Sequence, residues 1–551
     1  MGTRSKYLGY VADFEANTRE DNCRVWAWAI VTIGSHDVVY GTDIQSFMAH
    51  VKKLSGKIYF HNLAYDSAFI LDYELKNGRE WSEAQFPKYG EFTGIIDKMG
   101  KFYQISMKNN GKYQHFVDSY KLLPFSVADI AKAFDLDMEK GDLDYEIERP
   151  VGHELTEDEK FYIKRDVCIV ADALYETLTR GKKRLTVGSE ALADFKDIMS
   201  RKVFETTFPT LPKSMDDDIR HAYRGGFTYV DETWKQKFVG NVNVYDVNSL
   251  YPYVMESKML PYGEPIFVDG DVEPTDTHPL WIKSIMCTFK LKERRIPTIQ
   301  IKGSRFFNGV QYQKEVLEPA VLYLTNVDFE LMQEQYDVDI LAVLGTYLFR
   351  ARSDFFLDYV DKWRSIKETS TGAQRTLAKL HLNSLYGKFA SSTDATGKFP
   401  YLDGDVVKLA LGPECEKKPV YTPMGVFITA YARAHTIRAA QQHYGQFCYA
   451  DTDSLHMIGE AHGLDIHPTH FGAWKHEGRF ERAIYLRPKQ YMEQKTTGEY
   501  DVHIAGLPRN IANSLKFSDI YHQHKIPGKL VPKRVSGGII LVQQDFTIDL
   551  S

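Results

Sequence analysis

The chain has 551 residues, 43% hydrophobic and 26% charged, ordinary proportions for a globular protein that exclude a disordered or collagen-like chain. At roughly 100–200 residues per domain, this length predicts three or more domains. The formal charge of −6 argues at first against a polyanionic partner, yet residues 1–166 hold 21 basic and 27 acidic groups, the whole deficit, while the other 385 balance at 47 and 47. The N-terminal MGTRSKYLGYVADFE lacks the apolar core and small-residue cleavage site of a secretory signal. No run approaches the ~18 apolar residues of a membrane span. Residues 7–14 read as a strand, and 57–60 as another that runs into HNLAYDSAFI. Residues 157–178 have helical spacing, with Thr156 and Glu159 at capping-box distance. A break follows at 206–212, and Gly225 and Gly226 in AYRGGFTYV predict a sharp or closely approached backbone where one domain hands over to the next. Pro261, Pro265, Pro274, Pro279, Pro297 and Pro319 predict short strands and loops over 258–320. Residues 355–390 form the best long helical candidate, interrupted near 370–372, and turn residues dominate 394–423. Three stretches are basic: 283–305 with seven basic residues and one acid, 362–388 with six and one, and 509–534 with six and one. Each alone reads as a solvated face, but local basic stretches matter more than net charge to a polyanion. Five distant cysteines (Cys23, Cys168, Cys287, Cys415, Cys448) fit neither a disulfide framework nor a zinc pattern and predict a reducing cytosol.

Two groups of acids stand out. In VADFEA, Asp13 and Glu15 are two apart, so on a strand both carboxylates face one side and can reach one ion. Asp66 follows in HNLAYDSAFI. Asp166 lies in YIKRDV four residues after Tyr162, which on a helix stacks phenol and carboxylate. Four acids and a tyrosine suit two-metal hydrolysis of a phosphodiester. A lone DxE is weak evidence, but the three segments in this order are much stronger. The second group is Asp246 in VYDVNSLYP, after the apolar Val242, Val244 and Tyr245, with Asp451 and Asp453 in CYADTDSLH, placed as at a hairpin tip between two strands. Two magnesium ions there could activate a 3′-hydroxyl and neutralise a departing pyrophosphate. Alone, DTD reads better as a turn with capping roles. Between these sites, LAKLHLNSLYGKF places Lys379, Asn383 and Tyr386 at i, i+4, i+7 on one helical face, with Lys367 and Arg375 upstream. Lysine can contact a triphosphate and tyrosine can stack beneath a base. An amphipathic helix with a basic edge explains Lys379 but not the polar and aromatic line beside it.

DFE, HNLAYD and YIKRD resemble the three exonuclease motifs of family B DNA polymerases, and DVNSLYP, KLHLNSLYG and YADTDS resemble polymerase motifs A, B and C. YRGG (223–226), TAYAR (429–433) and KQY (489–491) resemble further motifs of the family, and LPYGEPI and YTPMGVFITA are similar to stretches of its protein-primed branch. Nine segments thus follow the family's order. The resemblance implies a multidomain α/β and α+β fold: a ribonuclease-H-like 3′→5′ exonuclease domain at 1–186, then a right hand. The palm would occupy 187–257 and 418–504, the fingers 355–393 and the thumb 505–551. Two insertions, 258–354 and 394–417, would support a priming terminal protein and encircle the template for processivity and strand displacement. It also implies a monomer working on template and primer DNA, dNTPs and a terminal protein in the cytoplasm of an infected bacterial host, with no membrane role.

The same resemblance implies roles for residues. Asp13, Glu15, Asp66 and Asp166 would ligate the nuclease metals, two Mg2+ or Mn2+, assisted by Tyr162 and Lys140. Asn62, Tyr65, Phe69 and Ser119 would hold a frayed 3′ end. Asp246, Asp453 and the Val247 carbonyl would hold two polymerase metals, with Asp451 beside them. Tyr251 would exclude a 2′-hydroxyl, Lys367, Lys379 and Asn383 would meet the nucleotide's phosphates, and Tyr386 would check the nascent pair. Tyr223, Gly225 and Gly226 would contact DNA, and Thr429, Arg433, Lys489 and Tyr491 would grip the primer strand. Asp328 in TNVDFEL would contact the terminal protein, and Arg509, Lys516, Lys525, Lys529, Lys533 and Arg534 would reach phosphates. The chain departs from the family at Ala16, where a threonine is usual, and at Tyr120, where a leucine is. The first insertion and the stretch between KQY and the thumb are also shorter than usual. Two other readings are a nuclease with a non-catalytic DNA-binding C-terminal part, which would leave motifs A, B and C without purpose, and a non-catalytic assembly protein that recruits a priming factor.

Overall fold

Alternation of apolar residues builds the first sheet. In the computed structural model, which describes residues 8–17, 19–136, 143–144, 147–180, 184–301, 311–521 and 523–548, strand Tyr10–Ala16 runs parallel to Gly56–Phe60, and Gly56–Phe60 parallel to Lys112–Asp118. Five more strands complete an eight-stranded sheet. Ala12, Phe14, Ile58 and Phe60 face one side, against helices Ile44–Val51 and Leu63–Lys76, whereas Val11 and Tyr59 face the other, against Glu157–Arg180. That last helix opens on the expected capping box: Thr156 Oγ1 accepts from the Glu159 N–H (3.2 Å) and Glu159 Oε2 from the Thr156 N–H (3.1 Å).

A second, seven-stranded antiparallel sheet has Phe238–Val247 near its centre, between Trp474–Arg487 and Ser454–Ile458. Helix Thr422–Gln442 packs into the core beside it, and its apolar residues lie on all sides, as burial all round requires. Strands Leu260–Asp269, Tyr336–Arg352, Leu280–Leu291 and Glu315–Thr325 form a four-stranded sheet in that order. These strands are longer than the prolines led one to expect, reaching 17 residues in Tyr336–Arg352. Pro261, Pro265 and Pro319 sit on the two edge strands, where a missing N–H breaks no ladder.

The helical candidate at 355–390 splits into Leu357–Thr369, Gly372–Ser384 and Tyr386–Phe389, with Gly372 at φ +51° supplying the turn. The turn-rich 394–423 stretch contains a hairpin, Lys398–Asp403 with Val406–Leu411. A last hairpin, Lys525–Val535 with Gly538–Thr547, folds back onto helix Leu63–Lys76. Contact there is too close for side chains: a Cβ on Gly537 would lie 2.1 Å from the Cys23 carbonyl oxygen, and one on Gly538 2.4 Å from the Phe69 ring. Among the described residues no helix is long and apolar enough to cross a membrane. All five cysteines are free.

Candidate active sites

The first acid group gathers at one end of the parallel strands. Asp13 and Glu15 share the Val11 side of strand Tyr10–Ala16, facing helix Glu157–Arg180, on which Tyr162 and Asp166 are buried. Asp66 stands in the first turn of helix Leu63–Lys76, where the helix dipole favours a carboxylate, and is only 3% exposed. Burial lifts its pKa well above the ordinary carboxylate range, and the charges of Asp13 and Glu15 lift it further. Its buried Oδ1 accepts no hydrogen bond among the described residues. Asn62, at φ +73°, turns the chain into that helix, and its N–H donates to Asp118 Oδ1 (3.1 Å). Asp118 also accepts the Tyr120 N–H (3.0 Å) and pairs with Lys121 (3.0 Å). Sequence reasoning missed this buried organiser of the turn, although an acid ending the alternating strand KYQHFVD was its signal. Lys140 lies outside the described residues.

Sheet register assembles the second group. Ser454 pairs with Asp246 on one side and with Asp451 on the other. The Val247 N–H donates to the Asp453 carbonyl (2.8 Å), and Thr452 at the hairpin tip takes φ +63°. Burial raises the Asp246 pKa to about 7, with Asp453 and then Glu477 adding to it. Asp453 is raised as well, by burial and by Asp451. Asp451 is different in kind: it accepts from Lys489 Nζ (3.1 and 3.2 Å), Thr228 Oγ1 (3.0 Å) and Tyr449 OH (3.2 Å). Its charge is answered, while Asp246 and Asp453 face a cavity of about 400 Å³.

Lys367, Lys379, Asn383, Tyr251, Tyr386 and Val247 line the same cavity. Burial pushes the Lys367 ammonium down, and Lys379 and Arg375 push it further, while its Nζ donates to Ser249 Oγ (3.0 Å). The Tyr251 and Tyr386 rings stack at 3.8 Å with 14° between planes. The helix carrying Lys379 and Asn383 ends at Ser384, but Leu385 keeps an α-helical backbone, so Tyr386 stays in line with them. Acids short of cations and cations short of anions thus meet across one space. A groove of about 660 Å³ continues past Asp453 to Lys489 and Tyr491. Among the described residues no three His, Cys, Asp or Glu side chains close into a ready cage. The all-oxygen donors and the unanswered buried charge nevertheless fit a hard divalent cation.

Several expected contacts are placed elsewhere. Thr429 is buried, and its Oγ1 donates within its own helix, to Gly425 O (3.0 Å). Arg433 is buried too. It donates to the carbonyls of Arg224 (2.8 Å) and Gly225 (3.0 Å) and to Asp328 Oδ1 (2.6 Å). Asp328 is 7% exposed and serves as counter-charge to that guanidinium. Of the glycine pair, Gly226 is closely approached, a Cβ falling 2.7 Å from the Thr452 side chain, whereas Gly225 faces open space. Tyr223 is half-buried beside them. Phe69 and Ser119 are buried, Ser119 Oγ donating to Phe60 O (3.0 Å); Asn62 is exposed and Tyr65 half-buried. Tyr120 is 41% exposed and stands edge-on to His61 at 5.5 Å. Lys283 of the first basic stretch is buried on Asp271 (2.6 Å); in the last stretch Lys533 pairs with Glu20 (2.7 Å), burial pulls Arg534 down, and Arg509, Lys516 and Lys525 are exposed.

A family model described as DNA polymerase type B, organellar and viral, matches residues 48–150 and 142–466. The chain is 44% identical to the DNA polymerases of Bacillus phages M2 and phi29, in each case across 98% of its own length and at least 98% of theirs. It is 32% identical to that of Streptococcus phage Cp-1, over 98% of both chains. A solved structure of phi29 DNA polymerase complexed with primer-template DNA and incoming nucleotides matches with a TM-score of 0.93 and 43% identity, over 99% of this chain and 100% of that one. The chain belongs to the type B DNA polymerases of organelles and viruses, and it is a DNA-directed DNA polymerase closely resembling that of phi29.

Proposed function

We propose that this polymerase adds nucleotides at Asp246 and Asp453, removes mispaired 3′ ends at Asp13, Glu15, Asp66 and Asp166, and starts synthesis from a terminal protein's hydroxyl. The observation that carries the reading is the 400 Å³ cavity with raised carboxylates on one wall and crowded lysines on the other. The right-hand division given by the resemblance is adopted with it: nuclease 1–186, palm 187–257 and 418–504, fingers 355–393, thumb 505–551, insertions 258–354 and 394–417.

Asp246, Asp453 and the Val247 carbonyl would hold two Mg2+ ions, or Mn2+ in their place, and the four nuclease acids another pair. Bound there, the metals supply a Lewis acid that activates the attacking oxygen and offsets charge on the leaving one. The protein's own groups do the rest. Lys367 and Lys379 bind the triphosphate and Asn383 orients it, relieving the repulsion between the two ammonium groups. The Tyr251–Tyr386 stack forms the wall beside sugar and base, and Tyr251 excludes a 2′-hydroxyl. Lys489 neutralises Asp451 and so keeps it apart from the pair that meets the cations. In the nuclease, Tyr162 orients water. Asn62, Tyr65 and the exposed ring of Tyr120 receive the frayed end, Tyr120 adding a stacking surface on a chain that carries Ala16 in place of a hydroxyl.

Solved phi29 polymerase structures carry primer-template DNA with nucleotides or single-stranded DNA, which supports the same partners here. For the terminal protein, the four-stranded sheet adds a candidate surface to Asp328. It exposes Leu317 (73%), Val321, Ile340, Leu341 and Leu344, an apolar set of the kind that marks a protein interface. The phage relatives support replication in an infected bacterial host; work as a monomer in its cytoplasm is proposed with it.

The test is extension of a primed circular template with Mg2+ and dNTPs and no helicase. Products longer than the circle support polymerisation with strand displacement. Degradation of single strands without template-directed extension would instead favour the nuclease with a merely binding C-terminal part.

A further inference from the structure

The fingers helices Leu357–Thr369 and Gly372–Ser384 present Lys367, Lys379 and Asn383 to the nucleotide cavity. Away from that cavity they carry a second cluster that the catalytic reading does not use. Trp363 and His381, one from each helix, stack at 3.8 Å with 18° between planes. His381 is 8% exposed, and burial holds its pKa down at about 4, so the ring stacks as a neutral aromatic. Asp194, on helix Val187–Met199, reaches the same place. Its two oxygens accept from Lys362 Nζ (2.8 Å each), and one also accepts from Trp363 Nε1 (2.9 Å). A cavity of about 200 Å³ opens beside the stack, bounded by Thr177, Glu190, Ile366 and Leu377.

Well-packed elements are held by many small contacts, and an unfilled space supplies none of them. On this side of the fingers, polar ties therefore carry an unusual share of the positioning. On the nucleotide side the helices are held by Arg364 on Glu256 and Lys367 on Ser249 (3.0 Å), and at their tip by Thr376 Oγ1 on Ala133 O (3.1 Å). Asp194 is the tie that opposes the first two. We propose that Asp194 is a positioning residue for nucleotide binding: it fixes Trp363, Trp363 clamps His381, and His381 sets the register of the helix that carries Lys379 and Asn383. The inference rests on the nucleotide-site reading above.

Steady-state extension against dNTP concentration tests it, with single-strand degradation and thermal melting measured on the same preparations. Asp194→Ala and His381→Ala should each raise the dNTP KM about three- to tenfold, as expected when about one ordinary hydrogen bond's worth of positioning is lost at the nucleotide site, with kcat within about twofold and degradation unchanged. Their effects should not add, because both break one chain of contacts. His381→Phe, which keeps a neutral ring on Trp363, should stay near wild type, and Asp194→Asn, which keeps an acceptor for Trp363, should fall between. KM within twofold of wild type in both alanine variants would overturn the proposal, as would kcat and degradation falling together at unchanged KM. A wild-type chain that does not extend primers would instead overturn the nucleotide-site reading.

Discussion

Asp451 and Asp453 stand two residues apart in one turn, yet their surroundings separate their work. Asp451 is tied to Lys489, Thr228 and Tyr449, whereas burial and the neighbouring Asp453 raise the cost of ionising Asp246. The Asp246 pKa of about 7 lies above its ordinary value of 3.8, so the folded chain holds that proton more tightly than the unfolded one. Metal-free protein therefore loses stability as pH rises between those values, by at most about 4 kcal/mol. Asp246→Asn should melt higher than wild type in chelator at pH 8, and the gain should shrink toward pH 5 and with added Mg2+; an equal difference at every pH would refute the assignment of that burden to Asp246. The carboxylates themselves were legible in the sequence because DxE, Y-x-x-x-D and DTD join spacing to chemistry. Arg433 and Asp328 were not, since nothing local announces that two charges 105 positions apart will be buried together.

At the scale of elements, the two motifs YRGG and DTD prove to be one contact. Gly226 lies against the Thr452 side chain, and Thr452 holds φ +63° at the hairpin tip between Asp451 and Asp453. Gly226→Ala should push that tip out of register and lower primer extension at least tenfold while single-strand degradation persists. Thr452→Gly, which removes the obstructing side chain and suits the left-handed backbone, should restore most of it in the same chain. Extension assays on the single and double variants decide; a double variant no better than Gly226→Ala alone would mean the glycine acts otherwise. Thr156→Ala should cost about 1 kcal/mol, as loss of one cap does, read as a lower denaturation midpoint. That cap was legible because both partners lie within four residues. The strands at 258–352 were less so, because prolines on edge strands look like breaks until the sheet order is known.

Over the whole molecule, three segments distant in sequence meet at one lysine. Lys76 pairs with Asp72 (3.0 Å) on its own helix and with Asp405 (2.9 Å) of the short hairpin, and it donates to Ser536 Oγ (3.1 Å) of the last hairpin. Close packing of Gly537 and Gly538 on Cys23 and Phe69 completes the junction. No periodicity reveals such a closure, because it depends on tertiary approach of backbones. Lys76→Ala should shorten the product made in one binding event, measured with a DNA trap, more than it slows addition of a single nucleotide, and high salt should mimic it. The proposed division of labour between the two acid groups ties these scales together. It is tested by giving Asp453→Ala and Asp13→Ala chains the same labelled primer-template, with Mg2+ and dNTPs, and the same labelled single strand. Asp453→Ala should degrade the single strand without extending the primer, and Asp13→Ala should extend without degrading. Loss of both activities in both variants would contradict it.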